Sequence, residues 1–277
     1  MTAQEFAALA AQGYNRIPMV RQVLADLETP LSTYLKLGRG LHTYFFESVQ
    51  GGEKWGRYSI IGLPCRTVLR VVGSKITVET NGQIVEQLEC DDPFVYIEDF
   101  KSRYNVAPLK GGQNFCGGLV GYFGYDTVRY VEPSLGAAPG EDDIGTPDIL
   151  LMVSEEVVVF DNLRGTLSLI VNADPQQADA YNDAQLRLDD LQSALCAPVP
   201  VPELVTGREV NEADFESRFK QPDFERGVNR IKDYILAGDV MQVVIAQRMS
   251  VPFTGDPMNV YRALRYLNPS PYMVFFN

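Results

Sequence analysis

Of 277 residues, 45% are apolar and 10% aromatic, enough for one large or two modest packed cores. Acidic side chains outnumber basic ones by 36 to 24; the net charge of -12 repels phosphate backbones and anionic lipid, leaving small solutes and other proteins as partners. Cys65, Cys90, Cys116 and Cys196 are widely spaced without a Cys-x-x-Cys pair, His42 is the single histidine, and no apolar run approaches the roughly 20 residues of a membrane span, so disulfide scaffolds, zinc sites, histidine triads and membrane helices are all excluded as expectations. With no secretory leader recognised, a soluble cytoplasmic protein with free thiols is expected, and a structural role for His42.

Thr2-Ala3-Gln4-Glu5 has capping-box spacing and opens a short helix through Ala11; a second runs from Thr29-Pro30 to Gly38. Residues 43–80 are rich in β-branched and aromatic side chains and predict several strands, and Asn81-Gly82 predicts a type I′ hairpin turn. A helix is expected from Asp92 to Tyr104. A further strand pair is expected at Ile149 to Phe160 and Thr166 to Val171. The helix after Asp174-Pro175 carries Tyr181, Ala184, Leu188, Leu191 and Leu195 at three-four spacing, a single buried stripe.

Alternating prolines from Ala197 to Pro202 cannot hold a helix and predict a semi-rigid linker over 197–210, separating a first domain, 1–196, from the start of a second, 211–277. Beyond it the pattern predicts a helix through Phe224, Val228, Ile231 and Ile235 closed by Gly238, a strand from Val240 to Val251, a helix from Asp256-Pro257 to Leu267, and a strand beginning at Tyr272. About 60 residues after a linker make a thin core, so the second domain is expected to be incomplete and its last strand to lack a partner.

Four segments bear on function. Residues 45–62, FFESVQGGEKWGRYSIIG, place Glu47 and Ser48 at the end of an apolar strand and Lys54, Trp55 and Arg57 on the return of a Gly-Gly turn; this reads either as a hairpin end with solvated charges or as a pocket offering an acceptor for an ammonium and donors for a carboxylate. Residues 117–126, GGLVGYFGYD, have the wrong glycine spacing for a dinucleotide fingerprint or a P-loop, and close backbone packing is the better account. Residues 238–248, GDVMQVVIAQR, put Gln242 and Gln247 on the predicted strand, and residues 268–277, NPSPYMVFFN, read by themselves as a rigid turn entering a core strand.

Taken together and in this order, these segments resemble the large subunit of anthranilate synthase, in the chorismate-utilising enzyme family, over nearly the whole chain. The resemblance implies an α+β fold of antiparallel sheets arranged as a sandwich and flanked by helices. It implies a lyase that makes anthranilate and pyruvate from chorismate and ammonia in tryptophan biosynthesis, with Mg2+ as cofactor and a glutamine amidotransferase as partner in a hetero-oligomer. Family members run on for roughly another two hundred residues, where the catalytic and metal-binding groups are expected, so the present chain alone is expected to be inactive. What this stretch is expected to hold is a tryptophan feedback site made by Glu47, Ser48, Lys54, Pro271, Tyr272 and Met273, its two halves in different domains that tryptophan would clamp together; Phe45-Phe46 stand where the family motif has leucines.

Gln242 is a possible active-site contributor: water-using relatives, the isochorismate and salicylate synthases, carry a lysine there as general base, and glutamine suits a member that uses ammonia. The alternatives are the para-aminobenzoate pathway enzyme, aminodeoxychorismate synthase component I, and a stand-alone amino-acid-binding regulatory module. Glu47-Ser48 with Lys54 tilts against the first, and an unpartnered last strand against the second.

Overall fold

The computed structural model describes residues 1–48, 56–109, 115–136, 142, 144–200, 202–203 and 209–277. Two compact units divide the chain, one of Met1–Val201 with Tyr261–Asn277 and one of Pro202–Val260.

In the first unit, helix α1 (Ala3–Ala11) opens on the expected capping box: the Thr2 hydroxyl accepts the Glu5 N–H at 3.2 Å and the Glu5 carboxylate accepts the Thr2 N–H at 2.8 Å. Helix α2 (Pro30–Leu37) is capped the same way by Thr29 and Ser32. A six-stranded sheet has the spatial order β1 (Ile17–Leu24), β10 (Thr166–Ala173), β9 (Glu156–Asp161), β3 (Tyr58–Gly62), β2 (Tyr44–Glu47), β13 (Met273–Phe276). A five-stranded sheet runs β6 (Gln83–Glu89), β5 (Lys75–Thr80), β4 (Thr67–Val72), β8 (Ile149–Ser154), β7 (Gly118–Phe123). Every pairing within both is antiparallel. The β5–β6 turn has positive φ at both Asn81 and Gly82, as a type I′ turn requires.

Side chains alternate along each strand, which assigns every layer its contacts. Leu69, Val71, Ile149, Leu151 and Val153 face helix α3 (Pro93–Ser102) with its Tyr96, Ile97 and Phe100. Their neighbours Val68, Val120 and Met152 turn the other way and meet Tyr44, Phe46 and Ile60 of the six-stranded sheet. A one-turn helix, α4 (Val128–Val131), follows β7. Helix α5 (Ala180–Leu195) covers β10 and β1 and buries the predicted stripe of Ala184, Leu188, Leu191 and Leu195, with α2 against α5 and β3. The order helix, sheet, sheet, helix is the expected α+β sandwich flanked by helices.

The glycines of 117–126 serve two ends. A Cβ at Gly121 would overlap the Leu150 carbonyl and one at Gly124 would press on that of Asp148, so both allow close backbone approach, whereas Gly118 has open space around it and a φ of +130° that favours glycine.

Several expectations are corrected. The run Ile149 to Phe160 is two strands in different sheets; the chain switches at Glu155, whose carbonyl accepts the Asn172 N–H at 2.8 Å and the Asn172 side-chain amide at 3.0 Å. Strand β1, which the sequence reading passed over, lies at a sheet edge, where Pro18 is tolerated. Of the strand expected over Val240 to Val251 only β12 (Met249–Ser250) forms, paired with β11 (Glu216–Ser217) in the second unit. That unit also holds helix α6 (Gln221–Ala237), closed by Gly238 at φ 81°, with none of its residues buried; Leu236 is 86% and Met241 98% exposed. Helix α7 (Pro257–Leu267) begins after Asp256, which caps it through Met258 N–H at 2.8 Å. The last strand does have a partner. Strand β13 pairs with β2, so residues from Tyr261 onward belong to the first unit and not with 211–260.

Candidate functional site

The β2–β13 pairing sets Glu47 opposite Met273, Phe46 opposite Val274, Phe45 opposite Phe275 and Tyr44 opposite Phe276. Two backbone hydrogen bonds between Thr43 and Asn277, at 3.0 and 3.1 Å, extend the seam at one end. At the other, Ser48 and Tyr272 each continue the chain one residue beyond the Glu47–Met273 pair. The structure thus pairs Glu47 with Met273, with Ser48 and the 271–272 segment continuing from that end of the seam. Ser48 is half-buried, Met273 buried, Pro271 exposed and Tyr272 70% exposed. Both halves of the set lie in one sheet of one unit, which corrects the expectation that they come from two domains: strand pairing, not a ligand, joins them. Lys54 falls outside the described residues.

Glu47 sits where a carboxylate needs compensation. Its side chain is 4% exposed, and a buried charge persists only when paired and hydrogen-bonded. Arg265 supplies both, with Nε 2.6 Å from Oε2 and Nη2 2.9 Å from Oε1, while the Tyr261 hydroxyl donates to Oε2 at 3.2 Å. The carboxylate holds the Arg265 guanidinium above its ordinary range by hydrogen bonding; burial, and then the charge of Glu47, push the Tyr261 hydroxyl up. Sequence reasoning missed both residues, although Tyr261 and Arg265 stand four apart on a predicted helix and so share a face. The Tyr261 ring is held by Phe45, 5.4 Å between centroids, and by Phe275, 5.8 Å away.

The return arm of the 45–62 hairpin is anchored by Arg57, whose Nη2 lies 2.7 Å from Asp161 Oδ2, and by Asn162, whose amide donates to Gly56 O at 3.1 Å and Ser59 Oγ at 3.2 Å. The Arg57 hydrogen bond holds the Asp161 carboxyl below the usual carboxylate range. A depressed folded value means the contribution is complete above the unfolded value, about 3.9, and is lost as pH falls through the folded one. The stability difference between wild type and Asp161→Asn is therefore expected to be constant near neutrality and to vanish in acid; urea midpoints at pH 7 and pH 3 that differ equally between the two proteins contradict this.

His42 is structural, as expected: its carbonyl accepts the Cys65 N–H at 3.0 Å and its Nε2 lies 3.1 Å from Arg70 Nη2, while burial and then Arg70 lower its pKa. All four cysteines are unpaired, and burial raises the Cys65 thiol to about 12. Gln242 is exposed and lies outside any strand. Among the described residues no cluster of three or more metal-ligating side chains occurs. No described helix is long and apolar enough to cross a membrane. A cavity of about 700 Å³ is lined by His42, Arg66, Glu155 and Arg187, and one of about 320 Å³ by Tyr104, Cys116 and Leu119; neither is lined by a residue of the β2–β13 pairing.

The family model for chorismate binding enzymes matches residues 49–277, and the chain belongs to that family. It is 54% identical over 282 residues to anthranilate synthase component 1 of Pseudomonas aeruginosa, covering 100% of this chain and 57% of that protein. It is 49% identical over 280 residues to the component 1 protein of Neisseria meningitidis, covering 100% and 56%. The crystal structure of anthranilate synthase component I from Streptococcus pneumoniae superposes with a TM-score of 0.61 at 26% identity over 90% of this chain and 53% of that one. The chain thus spans a little over half the length of the relatives it matches.

Proposed function

We propose that the full-length protein is the large subunit of anthranilate synthase, converting chorismate and ammonia to anthranilate, pyruvate and water as the first step of tryptophan biosynthesis. The observation that carries this reading is the 54% identity to the Pseudomonas aeruginosa protein, sustained over the whole chain. Ammonia is already nucleophilic, so a neutral amide at Gln242 suits its use better than a general base would. The reading includes a glutamine amidotransferase that delivers the ammonia within a cytoplasmic hetero-oligomer, and Mg2+ held by ligands outside the residues described above.

The 45–48 and 268–273 segments are read as a feedback site for tryptophan. Glu47 would receive the ligand ammonium, Ser48 and Lys54 would donate to its carboxylate, and Pro271, Tyr272 and Met273 would wall the indole. The strand pairing that sets Glu47 against Met273 supports this.

Incubated with chorismate, ammonium and Mg2+, the full-length protein is expected to release anthranilate; chromatography with isochorismate or aminodeoxychorismate as sole product overturns the assignment. Ser48→Ala is expected to weaken tryptophan binding by about tenfold, the loss of one hydrogen bond to a charged group. Calorimetry showing wild-type affinity removes Ser48 from the site.

A further inference from the structure

The one acidic group of the proposed effector site is also one of the most deeply buried charges of the chain. A carboxylate 4% exposed needs paired donors to be held in one orientation. The donors around it are distributed unevenly. Oε2 accepts from both Arg265 Nε and the Tyr261 hydroxyl, whereas Oε1 accepts from Arg265 Nη2 alone among the described residues. A carboxylate oxygen has room for two donors, so Oε1 keeps an acceptor position that Oε2 does not.

Arg265 and Tyr261 lie one helical turn apart on α7, and the bidentate fork fixes the plane of the carboxylate as a single ammonium would not. Tyr261 is wedged between Phe45 and Phe275, so its hydroxyl has little freedom to leave. Arg265 is 39% exposed, the solvent-facing member of the pair.

We infer that Arg265 and Tyr261 are positioning residues of the effector site: they hold the Glu47 carboxylate in one orientation, with Oε1 left to receive the α-ammonium of a zwitterionic amino acid. The inference rests on the tryptophan-feedback reading. Neither residue need touch the ligand; both act through Glu47.

The test is a double-mutant cycle by calorimetry with L-tryptophan on the full-length protein, with thermal melts of each variant as a control. Arg265→Met is expected to weaken binding by at least about tenfold in the wild-type background and by less than about twofold in the Glu47→Gln background, because residues that act as a unit are not additive. Arg265→Lys, which keeps the charge and loses the fork, is expected to recover only part of the affinity and to stay at least about threefold below wild type. Tyr261→Phe keeps the ring packing and removes only the hydroxyl; it is expected to cost about threefold alone and nothing in Glu47→Gln, and carries the test if Arg265→Met does not fold. Equal losses in the two backgrounds overturn the inference while leaving the feedback reading intact. A wild-type protein that does not bind L-tryptophan removes both.

Discussion

Gly62→Ala is expected to lower stability by about 3 kcal/mol or more, a fall in melting temperature of roughly 6–12 °C for a domain of this size. Gly62 ends β3 directly opposite Tyr44 on β2, and a Cβ there would overlap the Tyr44 ring. The ring cannot step aside. It is 0% exposed, its centroid is 4.8 Å from that of Phe46, and its hydroxyl is 2.8 Å from Ser154 Oγ in the facing sheet. Moving it would open the joint between the two sheets, where Val68, Val120 and Met152 meet it, and would break its hydrogen bond to the buried Ser154 hydroxyl. A side chain at 44 that ends at Cβ removes the collision, so in a Tyr44→Ala background the same substitution is expected to cost less than about 1 kcal/mol. A Gly62→Ala melt within a degree of wild type contradicts the overlap argument.

The parts of this fold that were legible in the sequence are those set by local chemistry. Thr2 with Glu5, Thr29 with Pro30, Asp92 and Asp256 each opened a helix where the capping pattern placed it, and Asn81-Gly82 made the only turn that two successive positive φ values allow. What was not legible depends on partners far along the chain. Within Ile149 to Phe160 the polar Ser154-Glu155-Glu156 interrupts two apolar runs, but composition alone does not say that Glu155 hands the chain from one sheet to the other rather than kinking one strand. The expected strand through Gln242 has the right composition, but strands exist by pairing, and only Met249 and Ser250 are paired.

The site divides along the same line. The residues read from motifs, Glu47, Ser48 and 271–273, converge because two apolar runs, Tyr44 to Glu47 and Met273 to Phe276, can satisfy each other's backbone groups. Arg265 and Tyr261 carry no motif of their own. Their role follows from burial of the acid they face, a quantity that a linear sequence does not state. The grouping of 211–277 together misses that the chain returns to the first unit at Tyr261, because a return crossing leaves no compositional mark.

Phe45 ties the fold to the site, and its removal is expected to show in both. The side chain is 0% exposed and stands at the meeting point of three elements: it stacks on Tyr34 of α2 at 5.5 Å, leans on Tyr261 of α7 at 5.4 Å, and pairs across the seam with Phe275. Phe45→Ala is expected to cost about 3–5 kcal/mol, because the sheet and helices around a buried ring cannot fully collapse into the space it leaves. Leucine, the residue of the family motif at this position, fills most of that volume and is expected to cost about 1 kcal/mol. The two variants separate packing from recognition. Alanine frees Tyr261, and with it the hydrogen bond to Glu47, and loosens the pairing that presents Met273, so tryptophan affinity is expected to fall about tenfold in the fraction that remains folded. Leucine keeps both supports and is expected to bind within about twofold of wild type. If calorimetry below the melting transition shows Phe45→Ala binding tryptophan as tightly as Phe45→Leu, the aromatic cluster holds the sheet together without setting the site.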